Sequence, residues 1–223
     1  MLPQSEDEIK IGAQKSVANK LLSELTNYFK TEEVYLAGGM LREHYFNRPG
    51  EDFDLYLECP LQVDSSMAEM MLNSLDGFRD FTIMSSKDAG YSGYSRGAID
   101  FVLQGKYFNR VWSSIYDATC KQNEYDVQVI FLKHFCMPPY AYLQDAFCCS
   151  LSKVWQQHQR DPMYHGDFLD TITSRVMKFD WSHHDYEINY DYIKKILNRY
   201  PEFEVDENTI GNYLRELSKE SYR

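Results

Sequence analysis

The sequence has few basic residues for its length. Its 223 residues include 23 Lys and Arg against 34 Asp and Glu, which gives a formal net charge of -11 and a pI near 5.0. A nucleic-acid duplex repels so acidic a surface, and we therefore expect no broad, sequence-independent binding to nucleic acid. Any nucleic-acid partner would need a local basic groove or bound metal ions.

The sequence also lacks metal-binding cysteine pairs and long apolar runs. No two of the five cysteines have Cys-x-x-Cys spacing, and a disulfide between the adjacent Cys148 and Cys149 would be strained. No apolar run approaches the roughly 20 residues that span a bilayer. The acidic start MLPQSEDEIK lacks the pattern of a signal peptide. We therefore expect a cytoplasmic protein in a reducing compartment.

The chain does have enough apolar and aromatic side chains to build a folded core. Hydrophobic residues make up 43% of the sequence and aromatic residues 15%, which excludes a disordered or fibrous protein. Segments with helical periodicity are mixed with segments that alternate polar and apolar residues. This mixture predicts an α/β (α+β) fold, and no internal repeat or low-complexity tract interrupts it.

The periodicity places the elements along the chain. Helices are predicted at residues 5–30, 40–46, 65–75 (with Asp64 as N-cap) and 106–124, and strands at 34–37, 52–58, 81–85, 98–103 and 125–132. Residues 143–155 fit a strand or a helix, and 168–179, 189–198 and 207–219 fit helices. We therefore predict a sheet-containing domain over residues 1–155 and a small helical C-terminal region over residues 156–223.

The most informative stretch runs from residue 36 to residue 56. A short apolar strand ends at Gly38 and Gly39, and a helix start follows, an arrangement that lets a phosphate approach backbone N–H groups. Further on, Asp52 and Asp54 are two residues apart on a predicted strand, so both carboxylates project from the same face. Because like charges so close repel each other, a divalent cation such as Mg²⁺ would explain their pairing.

This stretch resembles the head motif of the DNA polymerase β-type nucleotidyltransferase superfamily, most closely that of CCA-adding enzymes and bacterial poly(A) polymerases. Their pattern is an apolar strand, Gly-Gly, two residues, Arg-Asp, a short helix, Arg-Pro, and then Asp-x-Asp-Leu. The positions that match without a gap are Gly38, Gly39, Arg42, Arg48, Pro49, Asp52, Asp54 and Leu55. Glu43 stands where the family usually has Asp. The overall size is similar to that of compact phage-type nucleotidyltransferases.

The resemblance implies a third carboxylate on a neighbouring strand, which completes a two-metal site. The predicted strand 125–132 carries Asp126 and Gln128 on one face, and either could point at the metals. We favour Asp126 because only a carboxylate supplies the needed charge, and Asp100 in strand 98–103 is the alternative. Gln128 in this position would indicate a weaker or degenerate metal site.

The resemblance further implies a nucleotidyltransferase domain over residues 1–155, built on a mixed sheet flanked by helices. It would use Mg²⁺ or Mn²⁺, held by Asp52, Asp54 and Asp126, to transfer a nucleoside monophosphate from a nucleoside triphosphate. Gly38, Gly39 and Arg42 would bind the phosphates. The acceptor could be an RNA end such as tRNA, a protein or a small molecule, and we expect no membrane partner.

Two other functions fit the same sequence. The first is a nucleotide-binding or regulatory module that keeps the fold and has lost catalysis, which Gln128 at the metal position would favour. The second is an interaction protein whose acidic surface binds a basic partner. The 70 or so residues after the head domain are too few for the long helical apparatus of RNA-tailing enzymes, so a processive tailing activity is not expected.

Overall fold

The computed structural model of the chain describes residues 5–84, 98–111, 121–134, 138–180 and 190–206, together with Asn208. Its described helices are α1 (Glu6–Phe29), α2 (Gly39–Tyr45), α3 (Ser65–Ser74), α4 (Pro139–Asp145), α5 (Gly166–Ser174) and α6 (Tyr190–Arg199). Its described strands are β1 (Val34–Ala37), β2 (Asp52–Glu58), β3 (Phe78–Met84), β4 (Ile99–Val111), β5 (Lys121–Leu132), β6 (Val154–Gln157), β7 (Met163–Tyr164), β8 (Val176–Met177) and β9 (Glu204–Val205). The predicted α+β fold class is confirmed.

A seven-stranded mixed sheet organises the described part of the chain. Its strand order is β3-β4-β5-β2-β1-β6-β7, and β8 and β9 form a separate two-stranded parallel sheet. Within the large sheet, β2 and β5 run parallel, whereas the other neighbouring strands pair antiparallel. The predicted carboxylate strand β2 is therefore the central strand, with a neighbour on each side.

The two faces of the sheet have separate cores, and β2 contributes to both. Phe53 and Leu55 are fully buried in the core that lies against α1. Tyr56 points the other way, into a smaller core with Tyr142 of α4. Side chains alternate along a strand, so Asp52 and Asp54 share the face of Tyr56. The sequence prediction of this strand is confirmed at both of its ends.

The long first helix shows why the sequence prediction succeeds where signals are local. The Ser5 hydroxyl accepts from the Glu8 N–H at 3.2 Å, and the Glu8 carboxylate accepts from the Ser5 N–H at 2.8 Å, which forms a capping box. Lys30 ends the helix in the left-handed conformation, with φ of 55°. A buried stripe that includes Leu21 and Leu25 packs against the sheet, so α1 covers one of its faces.

The residues beyond 155 pack on the same sheet and core as the residues before it. The predicted domain boundary lies inside β6, which pairs with β1, and β7 pairs with β6 in turn. Phe168 of α5 and Ile196 of α6 belong to the α1-side core. The described C-terminal region thus also contributes strands, in addition to its helices.

The helix predicted at residues 106–124 is wrong. β4 continues from Ile99 to Val111 and pairs antiparallel with β5, so both described parts of this segment are strands, and residues 112–120 lie outside the described residues. Gly105 allows β4 to continue past Leu103, because a Cβ there would lie 2.5 Å from the Phe81 ring. That ring, from β3, packs directly over the glycine.

The helix predicted at residues 168–179 is too long. α5 ends at Ser174 because Arg175 takes the left-handed conformation, with φ of 62°, and its N–H bonds to the Thr171 carbonyl at 2.9 Å. Val176–Met177 then forms β8. The segment 143–155 combines the end of α4, a 3-10 turn and the start of β6. The helix at 189–198 is confirmed, and the one at 207–219 lies outside the described residues apart from Asn208.

Two further observations concern thiols and membranes. Cys59, Cys148 and Cys149 are free and buried, so the adjacent pair does not form a disulfide. Burial raises the pKa of the Cys148 thiol to about 12, which keeps it protonated and unreactive near neutral pH. Among the described helices, none has the length and apolar character that crossing a membrane would require.

Candidate functional site

The two carboxylates of β2 lie beside the glycine turn that ends β1. Ala37 pairs with Asp54 across the antiparallel β1–β2 ladder, so the chain reaches Gly38 next to that side chain. Gly38 has φ of 80° and ψ of -129°, a conformation that residues with a Cβ rarely adopt. A Cβ built there would lie 3.8 Å from the Asp54 Oδ2 and 3.1 Å from the Phe147 ring. Glycine therefore brings the backbone close to the carboxylate.

The short helix α2 begins at this turn. Gly39 is its first residue, and no side chain caps its N-terminus. The Gly38 N–H itself donates to the Val154 carbonyl of β6 at 3.0 Å, which fixes the turn on the sheet. A Cβ at Gly39 would meet only the Arg42 Nη2, at the ordinary contact distance of 3.8 Å. Of the two glycines of the motif, Gly38 borders the Asp54 carboxylate and requires a glycine conformation, whereas Gly39 lies next to the Arg42 side chain.

Burial acts most strongly on the Asp52 carboxyl and raises its pKa. The negative charges of Glu51 and Asp126 raise this pKa further, whereas a backbone hydrogen bond and the positive charge of Lys195 lower it. An ionised carboxylate in this position is costly unless a positive charge lies nearby. The physical conditions at Asp52 therefore favour either a proton or a bound cation.

The register of the parallel β2–β5 pair brings Asp126 into line with Asp52. These two residues are direct partners across the ladder, and Lys106 of β4 is the partner of Asp126 on its other side. The Lys106 Nζ lies 2.6 Å from the Asp126 Oδ1 and 3.0 Å from the Glu124 Oε1. An ammonium group therefore occupies the neighbourhood of the third carboxylate, and its pKa is raised by these two hydrogen bonds.

The same register locates the two alternatives for the third ligand. Gln128 is the ladder partner of Asp54, so it lies beside the carboxylates. Asp100 follows Ile99, which pairs with Leu132 six residues along β5 from Asp126. At about 3.3 Å per residue this is a distance of about 20 Å, too long for a shared metal ion. Asp126 and Gln128 thus remain the residues of β5 nearest to Asp52 and Asp54.

Arg42, the third predicted phosphate ligand, is placed in a buried network. Its Nη1 donates to the Ser152 hydroxyl at 2.7 Å, and its Nε donates to the Tyr200 hydroxyl at 3.0 Å. Glu43 Oε1 lies 3.4 Å from both Nε and Nη2 of Arg42. The Arg42 side chain is only 10% exposed. Its guanidinium binds Ser152 of the 3-10 turn and Tyr200, which follows α6, rather than solvent.

Glu43 completes this network from the same helix. The Tyr200 hydroxyl donates a short hydrogen bond to Glu43 Oε1, and the Arg199 Nε lies 3.0 Å from Glu43 Oε2. Arg48 donates to the Arg199 carbonyl at 2.7 Å and stacks over the Tyr200 ring at 5.1 Å. Three residues of the sequence motif, Arg42, Glu43 and Arg48, therefore anchor the end of α6. Sequence reasoning missed this role, since nothing in the spacing links residues 42–48 to residues 199–200.

The residues fit a divalent cation that is held by two protein carboxylates. Mg²⁺ usually binds proteins through one or two carboxylates and completes its shell with water and substrate phosphates. Asp52 and Asp54 supply two carboxylates from one face of a rigid strand, and the raised pKa of Asp52 indicates a position where positive charge is favoured. In the part of the chain that the structure describes, no group of three or more His, Cys, Asp or Glu is arranged to hold a metal.

No protein-family model matches the chain, and a search of curated proteins finds no significant match. The likeness to the nucleotidyltransferase superfamily therefore rests on the residues and spacing of the motif itself.

Proposed function

We propose that the chain is a metal-dependent nucleotidyltransferase. It would move a nucleoside monophosphate from a nucleoside triphosphate to a hydroxyl acceptor and release pyrophosphate. The observation that carries this proposal is the placement of Asp52 and Asp54 on one face of the central strand, beside the turn at Gly38. The resemblance of the motif between residues 36 and 56 supports the same function.

Each part of the site has a role in this proposal. Asp52 and Asp54 would hold Mg²⁺ or Mn²⁺, which when bound supplies positive charge to the reacting phosphates. Gly38 takes a conformation that places the start of α2 beside Asp54, so phosphate oxygens held at the carboxylates would lie near that turn of the backbone. In the transfer step the acceptor oxygen bonds to the α-phosphorus, the bond to pyrophosphate breaks, and the hydroxyl proton leaves to a carboxylate of the site.

Lys106 would reduce the repulsion between this acidic protein and a bound polyanion. Its side chain is 37% exposed and lies on the face that carries the β2 carboxylates. A triphosphate bound there would meet this positive charge in addition to the metal, although the whole chain has a net charge of -11. Arg42 would contribute only from within its buried network, through the position of α2.

The test of this proposal is a transfer assay with matched variants. The protein is incubated with each labelled nucleoside triphosphate, Mg²⁺ or Mn²⁺, and a tRNA, a protein mixture or a small alcohol as acceptor. Asp52→Asn and Asp54→Asn should each abolish transfer and pyrophosphate release. Asp170→Asn, on the exposed surface of α5, serves as the control and should keep full activity. Transfer that survives in the Asp52→Asn, Asp54→Asn double variant would refute the proposal.

A second candidate function is nucleotide binding without catalysis. The observation that favours it is the ion pair of Lys106 with Asp126, which already satisfies the charge of the third carboxylate. Isothermal titration calorimetry for nucleotide binding, combined with the measurement of pyrophosphate release, separates the two functions. Binding of a nucleoside triphosphate with no pyrophosphate release under any acceptor condition would identify a binding module, whereas release would identify an enzyme.

We also propose that the protein works in the cytoplasm. The free thiols of Cys59, Cys148 and Cys149 support a reducing compartment, because buried cysteines in oxidising compartments are usually paired. Localisation of a tagged full-length chain by microscopy, checked by cell fractionation, tests this proposal.

A further inference from the structure

A cleft lies on the face of the sheet opposite Asp52 and Asp54. It has a volume of about 360 Å³ and is bordered by α1, α2 and the turn between β6 and β7. Gln156 lines it and pairs with Leu36, whose side chain belongs to the α1-side core, whereas the β2 carboxylates face the other way. Its volume is within the range of small-molecule sites, and none of the residues predicted from the sequence motif lines it.

Two cations from different elements border this cleft. Lys15 is on the exposed side of α1, and Arg160 is in the β6–β7 turn. Among the described residues neither makes an ion pair, in contrast to the largely buried side chains of Arg42 and Lys153, which pair with Glu43 and Asp167. With Asp161 as the only carboxylate in its lining, the cleft has a net positive charge in a strongly acidic protein.

His44 adds a neutral hydrogen-bonding group to the wall. Gln14 is fixed by Gly50, because the Gly50 N–H donates to its Oε1 at 3.0 Å and its Nε2 donates to the Gly50 carbonyl at 2.9 Å. The His44 Nε2 lies 3.0 Å from that same Oε1, so Nε2 is the donor and Nδ1 keeps its lone pair. Burial and the charge of Lys15 lower the pKa of His44 to about 4, which keeps the ring neutral.

Amide and phenol groups complete the lining. Asn19 provides an amide donor, and the Gln156 Nε2, which donates one hydrogen to the Arg160 carbonyl at 2.8 Å, has a second N–H. Tyr45 and Tyr164 provide hydroxyl groups on rings that contact each other edge-on at 5.4 Å. A guanidinium with an ammonium and amide N–H groups is the donor set that binds phosphate oxygens in proteins. The aromatic rings of the lining suit the planar or sugar part of such a molecule.

We propose that this cleft is a binding site for a small phosphate monoester of about the size of a nucleoside monophosphate. Arg160 and Lys15 bind the phosphate, and His44 accepts a hydrogen bond from a hydroxyl or amino group of the ligand. A triphosphate is disfavoured, because its higher charge exceeds the two cations that the cleft offers. The site is separate from the β2 carboxylates and does not depend on the function proposed for them.

The proposal is tested by titrating the isotope-labelled full chain with inorganic phosphate, AMP and adenosine, followed by NMR. Phosphate and AMP should give saturable shifts of the Arg160 Nε–H and of the Asn19 and Gln156 side-chain amides, and adenosine should not. Saturable binding of adenosine alone, or no saturable shift with any of the three, would overturn the proposal.

Variants locate the bound phosphate. Arg160→Gln should weaken AMP binding about tenfold or more, since a charge-assisted hydrogen bond is lost. Arg79→Gln, which removes an exposed arginine on β3, is the matched control and should bind AMP as the wild type does. Equal affinity of Arg160→Gln and wild type would also overturn the proposal. Binding of Mn²⁺ should be unchanged in Arg160→Gln, so failure at the carboxylate site is measured separately.

Discussion

Replacing Glu43 tests the buried network that joins α2 to α6. Its side chain is 3% exposed and that of Arg42 is 10% exposed, so Glu43→Gln removes a charge at nearly constant volume and leaves a buried guanidinium with less compensation. Breaking a buried pair in this way costs about 3–5 kcal/mol of the free energy of unfolding. For a chain of this size each kcal/mol lowers the melting temperature by about 2–4 °C, so we expect a decrease of about 6–20 °C.

The assay is thermal unfolding by calorimetry together with urea titration, both at pH 7. Glu43→Asp, the residue usual in the resembled family, is one methylene shorter and should lose about 1–3 kcal/mol, because it cannot reach both Arg199 and Tyr200. Asp191→Asn is the control, since its side chain is 96% exposed in its pair with Lys194, and it should leave the melting temperature unchanged. A loss below about 1 kcal/mol for Glu43→Gln would refute the reasoning, because a buried guanidinium left without its carboxylate partner should cost more than that.

Three further predictions concern the carboxylate face. Gly38→Ala should lose about 1–3 kcal/mol of stability in urea titrations, because residue 38 has a positive φ and lies near the Phe147 ring. Gly39→Ala should change the stability little, and equal losses in the two variants would contradict the geometry. Lys106→Met should bind Mn²⁺ several-fold more tightly than wild type, because the Lys106 ammonium no longer competes with the metal ion for Asp126. An unchanged affinity for Mn²⁺ in calorimetry would argue against this competition. Burial raises the pKa of Asp52 in the folded chain, so its ionisation opposes folding, and the stability present below its ordinary pKa is lost as the pH rises through the folded pKa. Asp52→Asn should therefore raise the melting temperature at pH 7 and show no gain below pH of about 3.9, and a gain that persists at low pH would contradict this sign.

Sequence reasoning succeeds where the determining interactions are local. The strand of Asp52 and Asp54 is predicted with its correct ends because polar and apolar residues alternate over its first half. The α3 N-cap at Asp64 is also confirmed, since its carboxylate accepts from the Met67 N–H at 2.8 Å. In both cases the signal is contained within a few consecutive residues.

The errors come from interactions between distant parts of the chain. Apolar residues after Lys106 have a spacing that also fits a helix, but pairing with β5 and the packing of Phe81 on Gly105 keep β4 extended. The pairing of Lys106 with Asp126 depends on that hairpin register, so it could be found only after the segment was recognised as a strand. The buried contacts of Arg42 depend on where residue 200 packs, which no spacing rule predicts.

The network at Glu43 also makes α2 dependent on the C-terminal part of the chain. A chain cut after residue 180 would keep every strand of the large sheet but lose Arg199 and Tyr200. Arg42 and Glu43 would then face water across a newly opened apolar surface, next to the glycine turn at Gly38. Truncation at the C-terminal end would therefore loosen α2, the helix that borders the carboxylates. Proteolysis after residue 180 should disturb the carboxylate site before it disturbs the rest of the sheet.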